Sequence, residues 1–178
     1  MDVRLFVFVD ETGTHVALTP LYAWAPKGQR ARGQVPRNRG TITPLIAALS
    51  LEGMQAPLAI EGGVDGRTFE TYVREVLAPQ LEPGQIVILD NLGAHQGDTI
   101  RQLVEARECR LLYLPSYSPD LTPIEEAFSK IKTGLRRAAA RGHEALIEAI
   151  GAAVASVTSS DALGWFQHAG YRPLAQSP

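Results

Sequence analysis

Three acidic residues stand where a protein chain can use them for chemistry. Asp10 and Asp90 each close a run of apolar residues, Leu5 to Val9 and Ile86 to Leu89, and Glu125 falls in the first turn of an amphipathic segment that opens on Pro123. Ligands of open α/β sheets gather outside strand C-termini. Carboxylates converging there suit a hard cation such as Mg²⁺, which takes oxygen ligands and is held by one or two carboxylates plus substrate phosphates. Three of them can hold two ions, the arrangement that activates the attacking oxygen and stabilises the leaving oxygen of a phosphoryl displacement. Each acid also has a plainer reading. Thr122-Pro-Ile-Glu125 has the spacing of a capping box, with Glu125 reaching back to the Thr122 amide. Asp10 and Asp90 can be strand-end turn residues. Glu11 and Glu126 read as neighbours supporting the site, Asn91 as a partner of the metal's water or a turn former, and His95 as a helix-start residue before a ligand.

The elements that would position these residues follow from hydrophobic periodicity. Residues 4–10 and 86–90 are continuous apolar runs ending in aspartate, which reads as strands buried on both faces. Residues 14–18 and 41–51 read as further strands around a Pro/Gly/Arg-rich connection over 20–40, giving three antiparallel strands, and 56–60 as a short extended piece. Asp65-Gly66 opens a helix with Phe69, Tyr72, Val73, Val76 and Leu77 on one stripe. A helix over 98–106, a strand over 110–114, a helix carrying Ile124, Ala127, Phe128, Ile131 and Leu135, and helices over 144–157 and 161–169 complete the chain, the last closed by Gly170. Trp165 and Phe166 read as core or interface. This succession of strands and helices predicts an α/β fold, a mixed five-stranded sheet flanked by helices, in one domain over residues 1–178.

Composition narrows the function classes. Seventeen basic against 19 acidic side chains leave a net charge of −2, which excludes nucleic-acid binding through bulk charge alone. A local basic path is nonetheless present. Lys27, Arg30, Arg32, Arg37 and Arg39 lie in 13 residues without an acid, just after Tyr22 and Trp24, a mixture that contacts phosphates while an aromatic stacks on a base. The plainer reading is a solvated hairpin. Lys130, Lys132, Arg136, Arg137 and Arg141 follow Glu125, either holding a strand of DNA or complementing the helix C-terminus. One cysteine, Cys109, excludes an internal disulfide and thiolate clusters and fits a reducing cytoplasm. The early apolar run is too short for a signal-peptide core, and no stretch suits a membrane span.

Three segments together resemble a known family. Phe-Val-Asp10-Glu-Thr-Gly, Ile-Leu-Asp90-Asn-Leu-Gly-Ala-His95 and Tyr-Ser-Pro-Asp-Leu-Thr-Pro-Ile-Glu125, with 34 residues between Asp90 and Glu125, are similar to the acidic motifs of DDE transposases. They are nearest to the mariner superfamily and its bacterial insertion-sequence-630 branch. The resemblance implies an RNase H-like fold and DNA strand cleavage and transfer, with Asp10, Asp90 and Glu125 holding two Mg²⁺ ions that Mn²⁺ can replace. Water or a DNA 3′-hydroxyl would be the nucleophile. Its partners would be transposon ends and a target, TA by analogy, a second copy of the chain, and a helix-turn-helix DNA-binding polypeptide or reading frame upstream, in a bacterial cytoplasm at the nucleoid. Thr122 replaces the family's more usual Asn and Phe128 its more usual Trp. Members of the family carry a helix-turn-helix DNA-binding domain before the catalytic one, so the resemblance implies that residues 1–178, without that N-terminal domain, are a catalytic half, expressed as a separate reading frame, joined to its upstream partner by frameshifting, or truncated.

Two rival readings remain at this point. Asp10-Glu-Thr-Gly-Thr14 also matches the signature of haloacid-dehalogenase-like phosphotransferases, in which Asp10 would be the phosphorylated nucleophile. That enzyme needs a later acidic pair, which Asp90-Asn91 does not supply. The other rival is a catalytically inactive DNA-binding remnant.

Overall fold

A computed structural model describes residues 2–38, 40–91, 97–115 and 118–172. Five strands form one sheet in the order β3-β2-β1-β4-β5. β1 (Phe6–Thr14) is central; β2 (Thr43–Ser50) and β3 (Gly53–Ala59) extend it antiparallel on one side, β4 (Ile86–Leu89) and β5 (Arg110–Tyr113) parallel on the other. The helices are α1 (Gly66–Tyr72), α2 (Asp98–Glu105), α3 (Pro123–Ala138), α4 (His143–Ala155) and α5 (Ser159–His168). The mixed five-stranded sheet flanked by helices is therefore the architecture the sequence predicts.

The strands differ from expectation at one instructive place. Residues 14–18 do not form a strand of their own; β1 runs on through Glu11, Thr12 and Gly13 to Thr14, and the third antiparallel strand is β3. Asp10 is thus inside a strand rather than at its end. The reason is asymmetric pairing. β4 accompanies β1 only as far as Val9, opposite Leu89, whereas β2 continues beside it from Leu49 to Thr43 and satisfies its backbone. β3 is an edge strand carrying Pro57, with a register shift opposite Ile46 and Ala48 where Ala56 turns to a positive φ of 48°. The buried Tyr72 hydroxyl donates to the Ala56 carbonyl at 2.9 Å and fixes that bulge.

Two clusters of buried side chains sit on opposite faces of the sheet. Phe6, Phe8, Ile86 and Ile88 pack under α3, α4 and α5, against Ile124, Phe128, Ile131, Leu146 and Phe166. Val7, Val9, Val87 and Leu89 pack under α1 and α2, against Phe69, Tyr72, Ile100 and Val104. α1 continues through a π-type turn, Val73–Leu77, and ends in a 3₁₀ turn containing Pro79. α5 ends in a Schellman motif: Gly170 takes φ 89°, the Tyr171 amide donates to the Phe166 carbonyl, and the two rings meet at 6.1 Å. Among the described residues no single helix is long and apolar enough to cross a membrane.

Candidate active site

Side-chain alternation along the strands decides which face the acids occupy. Phe6 and Phe8 belong to the face covered by α3, so Asp10, two residues on, takes that face as well. Asp90 is the first residue past β4, whose Ile86 and Ile88 belong to that face, and it is not among the residues that line the cleft of Asp10 and Glu125. Because Val9 pairs with Leu89 in parallel register, Asp10 and Asp90 follow at neighbouring positions where that pairing stops. Both are half-buried. One Asp10 carboxylate oxygen, Oδ1, accepts the Glu11 amide at 2.7 Å, which orients the group.

Glu125 reaches the same face from above. α3 buries Ile124, Ala127, Phe128, Ile131 and Leu135 against the sheet, leaving Glu125, Ser129, Lys132 and Arg136 along one edge of the helix. Those four line a cleft of about 420 Å³ with Asp10, Glu11, Thr12 and Phe128. The capping box expected at Thr122 does not form. Thr122 is the N-cap residue but its side chain makes no capping hydrogen bond, and its hydroxyl lies 3.4 Å from Glu125 Oε1. The exposed Glu125 carboxylate accepts the Thr122 hydroxyl through Oε1 and also lines the cleft. The capping box sits at α5 instead, between Thr158 and Asp161.

The donor chemistry of Asp10, Asp90 and Glu125 fits a hard divalent cation, since all three offer oxygen ligands only, from β1, the end of β4 and the first turn of α3. Among the described residues no three His, Cys, Asp or Glu side chains form a ready-made metal cage. Carboxylates brought together without a cation repel one another, so the set is one that an ion would gather.

The remaining candidates separate by position. Glu11 lines the cleft beside Asp10. Asn91 is exposed and lines a different cleft with Gly97, Asp98, Arg101 and Tyr113, on the α2 side. His95 and Arg39 lie outside the described residues. Glu126 turns to α5, where its Oε1 meets His168 Nδ1. Thr12 and Ser129 are cleft residues the sequence reading passed over; the spacing of Ser129 four residues after Glu125 was the available signal.

The basic residues also divide. Lys132 and Arg136 line the acidic cleft. Lys130, grouped with them by sequence, sits roughly 140° round the helix from Glu125 at 3.6 residues per turn. Its Nζ pairs with Asp161 Oδ2 at 2.5 Å and donates to the Ser156 carbonyl at 3.0 Å, tying α3 to α5. Lys130 is therefore a strut between helices. This contact and the Thr158 hydrogen bonds hold the Asp161 carboxyl well below the usual range, at about 2. Arg141 donates to the Val16 and Leu18 carbonyls and holds the root of the long connection leaving β1.

That connection, residues 19–42, contains no strand or helix among its described residues, so the expected hairpin is an irregular arm. Trp24, Lys27, Arg30, Arg32 and Arg37 are all exposed, Trp24 fully. Pro26 to Gln29 is a turn closed by the Gln29 amide on the Pro26 carbonyl, with Gly28 at φ 83°, which presents Lys27 at its tip. Pro20, Leu21 and Tyr22 border a groove with Thr133, Arg136 and Arg137, so Arg136 stands between the acidic cleft and the arm.

Comparison with known proteins now bears on this arrangement. A family model described as DDE superfamily endonuclease matches residues 5–147. Among solved structures, the chain is similar to a pre-cleavage Mos1 transpososome, with a TM-score of 0.72 at 16% identity over 94% of this chain and 52% of that one. It is similar to the mariner Mos1 paired end complex with Mg, at 0.70 and 19% over 94% and 54%. It also resembles the catalytic domain of Mos1 mariner transposase, at 0.63 and 16% over 94% and 76%. At these identities the likeness is one of fold, and the chain spans about half the length of the first two chains. No curated protein sequence matches.

Proposed function

The chain belongs to the DDE superfamily endonucleases, and from that membership we propose that it is a transposase catalytic domain that cuts and joins DNA with divalent metal ions. The observation that carries the reading is the single cleft lined by Asp10 and Glu125, with Asp10 and Asp90 each following directly on the paired residues Val9 and Leu89. Asp10, Asp90 and Glu125 would hold two Mg²⁺ ions, or Mn²⁺ in their place. When bound, the ions would polarise the scissile phosphate and activate water or a DNA 3′-hydroxyl. Solved Mos1 complexes with Mg and with Mn support that metal use.

The protein's own residues supply position and charge. Lys132 and Arg136 neutralise the phosphates of the strand lying in the cleft, and Arg136 hands that strand toward the arm, where Lys27, Arg30, Arg32 and Arg37 extend the contact and Trp24 offers a face to a base. Glu11 shapes the cleft wall. The partners are transposon ends and a target, TA by analogy with mariner relatives, and a Mos1 paired-end complex with left transposon end supports an assembly of this kind. We assign the chain to the insertion-sequence-630 branch and to a bacterial cytoplasm at the nucleoid. It acts as one catalytic domain over residues 1–178, pairing with a second copy and drawing on a helix-turn-helix polypeptide for end recognition. The phosphotransferase alternative needs Asp10 to Thr14 as a phosphate-binding loop, but these residues stay in antiparallel pairing with β2.

The test is Mg²⁺- or Mn²⁺-dependent nicking of DNA by the purified chain, beside its Glu125→Gln variant, with a phosphomonoester assay in parallel. Nicking that the variant loses is the expected result. Phosphomonoester turnover indifferent to Glu125→Gln would overturn the reading.

A further inference from the structure

Glu125 is a wall between two clefts, not the edge of one. On its other side a second cleft of about 370 Å³ lies between the first turn of α3 and α5, lined by Asp120, Thr122, Pro123, Glu126, Trp165, His168 and Ala169 along with Glu125 itself. The two sides differ in charge. The Asp10 cleft carries Lys132 and Arg136. The second carries three carboxylates and neither Lys nor Arg among its described lining residues. A phosphate would be repelled there, and no cage of three metal donors forms among the described residues.

We propose that this second cleft holds one nucleobase of the DNA strand, on the side of the scissile phosphate away from Lys132 and Arg136. The inference rests on the nuclease reading above and adds the position and chemistry of a neighbouring nucleotide. A base is neutral and planar, and it suits the lining. Trp165 is half-buried with its indole packed on the core and lining the cleft, which makes a stacking platform of the kind single-stranded nucleic acids use. Ionised carboxylates only accept hydrogen bonds, so Asp120 and its acidic neighbours favour bases that carry an exocyclic amine, adenine, cytosine or guanine, over thymine, whose single N3–H sits between two carbonyl oxygens that a carboxylate repels.

The cleft is also preformed. Trp165, His168 and Ala169 share one helical face by their three- and four-residue spacing. His168 is fastened to Glu126 across it, and the Tyr171 hydroxyl donates to the Leu121 carbonyl at 2.9 Å, bracing the turn that carries Asp120. The Lys130–Asp161 pair locks the start of α5 to α3 behind it. Extruding a base from a duplex costs unstacking energy, so the pocket works on an unpaired or single-stranded end.

The experiment uses the whole chain and an oligonucleotide with 2-aminopurine placed at successive positions around the cut, with Ca²⁺ in place of Mg²⁺ so that the strand stays intact. One position, adjacent to the scissile phosphate, is expected to show quenched fluorescence on binding, and Trp165→Ala to abolish the quenching. In the nicking assay Trp165→Ala raises KM about five- to tenfold with kcat unchanged, the size expected for loss of one stacked base, while Trp165→Phe restores most of it. Asp120→Asn, a change of charge but not of shape at an exposed position, relaxes the discrimination against thymine there. Metal-dependent nicking that still needs Asp10, with no quenched position or with quenching and KM indifferent to Trp165→Ala, overturns this inference and leaves the nuclease reading standing. An oligonucleotide that is neither bound nor nicked overturns both.

Discussion

The two faces of the sheet are made from the same strands and differ in what they carry at the end. Beneath α1 and α2, β1 and β4 contribute Val7, Val9, Val87 and Leu89, aliphatic side chains that pack and do nothing else. Beneath α3, α4 and α5 they contribute Phe6, Phe8, Ile86 and Ile88, after which β1 brings Asp10 to the cleft and Asp90 follows the end of β4. What separates the faces is parity alone. Because side chains alternate, a slip of one residue in β1 would send the Asp10 carboxylate to the helix-covered aliphatic side. The chemistry of the front face therefore depends on register, and the back face exists to hold that register.

The largest expected effect breaks the front face while sparing the fold. Asp10→Asn keeps the shape of the side chain and removes the charge a cation needs. If the ion supplies several kcal/mol of transition-state stabilisation, nicking falls on the order of 10³-fold, with the unfolding midpoint little changed. Asn91→Ala, one residue beyond Asp90 but in the cleft on the α2 side, leaves the rate within about twofold of the parent by the same logic of opposite faces. A 10³-fold loss in Asn91→Ala would mean that the faces are not chemically distinct.

Stability should not respect the distinction that activity does. Phe8→Ala on the front face and Leu89→Ala on the back both leave cavities beneath helices, since each side chain is 1% exposed. Each is expected to cost about 2–5 kcal/mol, measured by denaturant unfolding at constant m-value. A smaller effect sharpens the picture of the cleft itself. Lys132→Ala and Arg136→Ala each reduce the slope of log affinity against log salt for DNA by about 0.7–0.9, one phosphate contact apiece.

How much of this was readable in the sequence differs by region for physical reasons. The buried strands announce themselves, because Ile86 to Leu89 and Phe6 to Val9 have no polar residue to confuse their type, and the α3 stripe is a clean three- and four-residue repeat. The extension of β1 through Glu11 to Thr14 was not legible. Its polar side chains look like a turn, and only long-range pairing with β2 makes them a strand. The three acids could be named from their contexts, but the absence of a Thr122 cap and the second cleft behind Glu125 depend on where α5 packs, which no local pattern encodes. The same is true of Lys130 and Lys132, two residues apart in the sequence and assigned to different jobs by 200° of helix rotation.

That division of labour along α3 yields the last test. Lys130 holds Asp161 across to α5, and together with the Thr158 hydrogen bonds it depresses the Asp161 carboxyl to about 2. A carboxyl whose folded value lies below its unfolded one contributes stability above the unfolded value, near pH 4, and loses it as pH falls toward the folded value. The folded chain thus draws on this pair at neutral pH and forfeits it between about pH 4 and about pH 2. Lys130→Met, which keeps the packed stem and removes the charge, should flatten the acid limb of the stability–pH curve without flattening it completely, because the Thr158 hydrogen bonds remain. It should leave the salt dependence of DNA binding at the parent slope, whereas Lys132→Ala changes that slope and leaves the acid limb alone. An unchanged acid limb in Lys130→Met, together with a lowered salt slope, would return Lys130 to the DNA path and move the boundary between the two sides of α3.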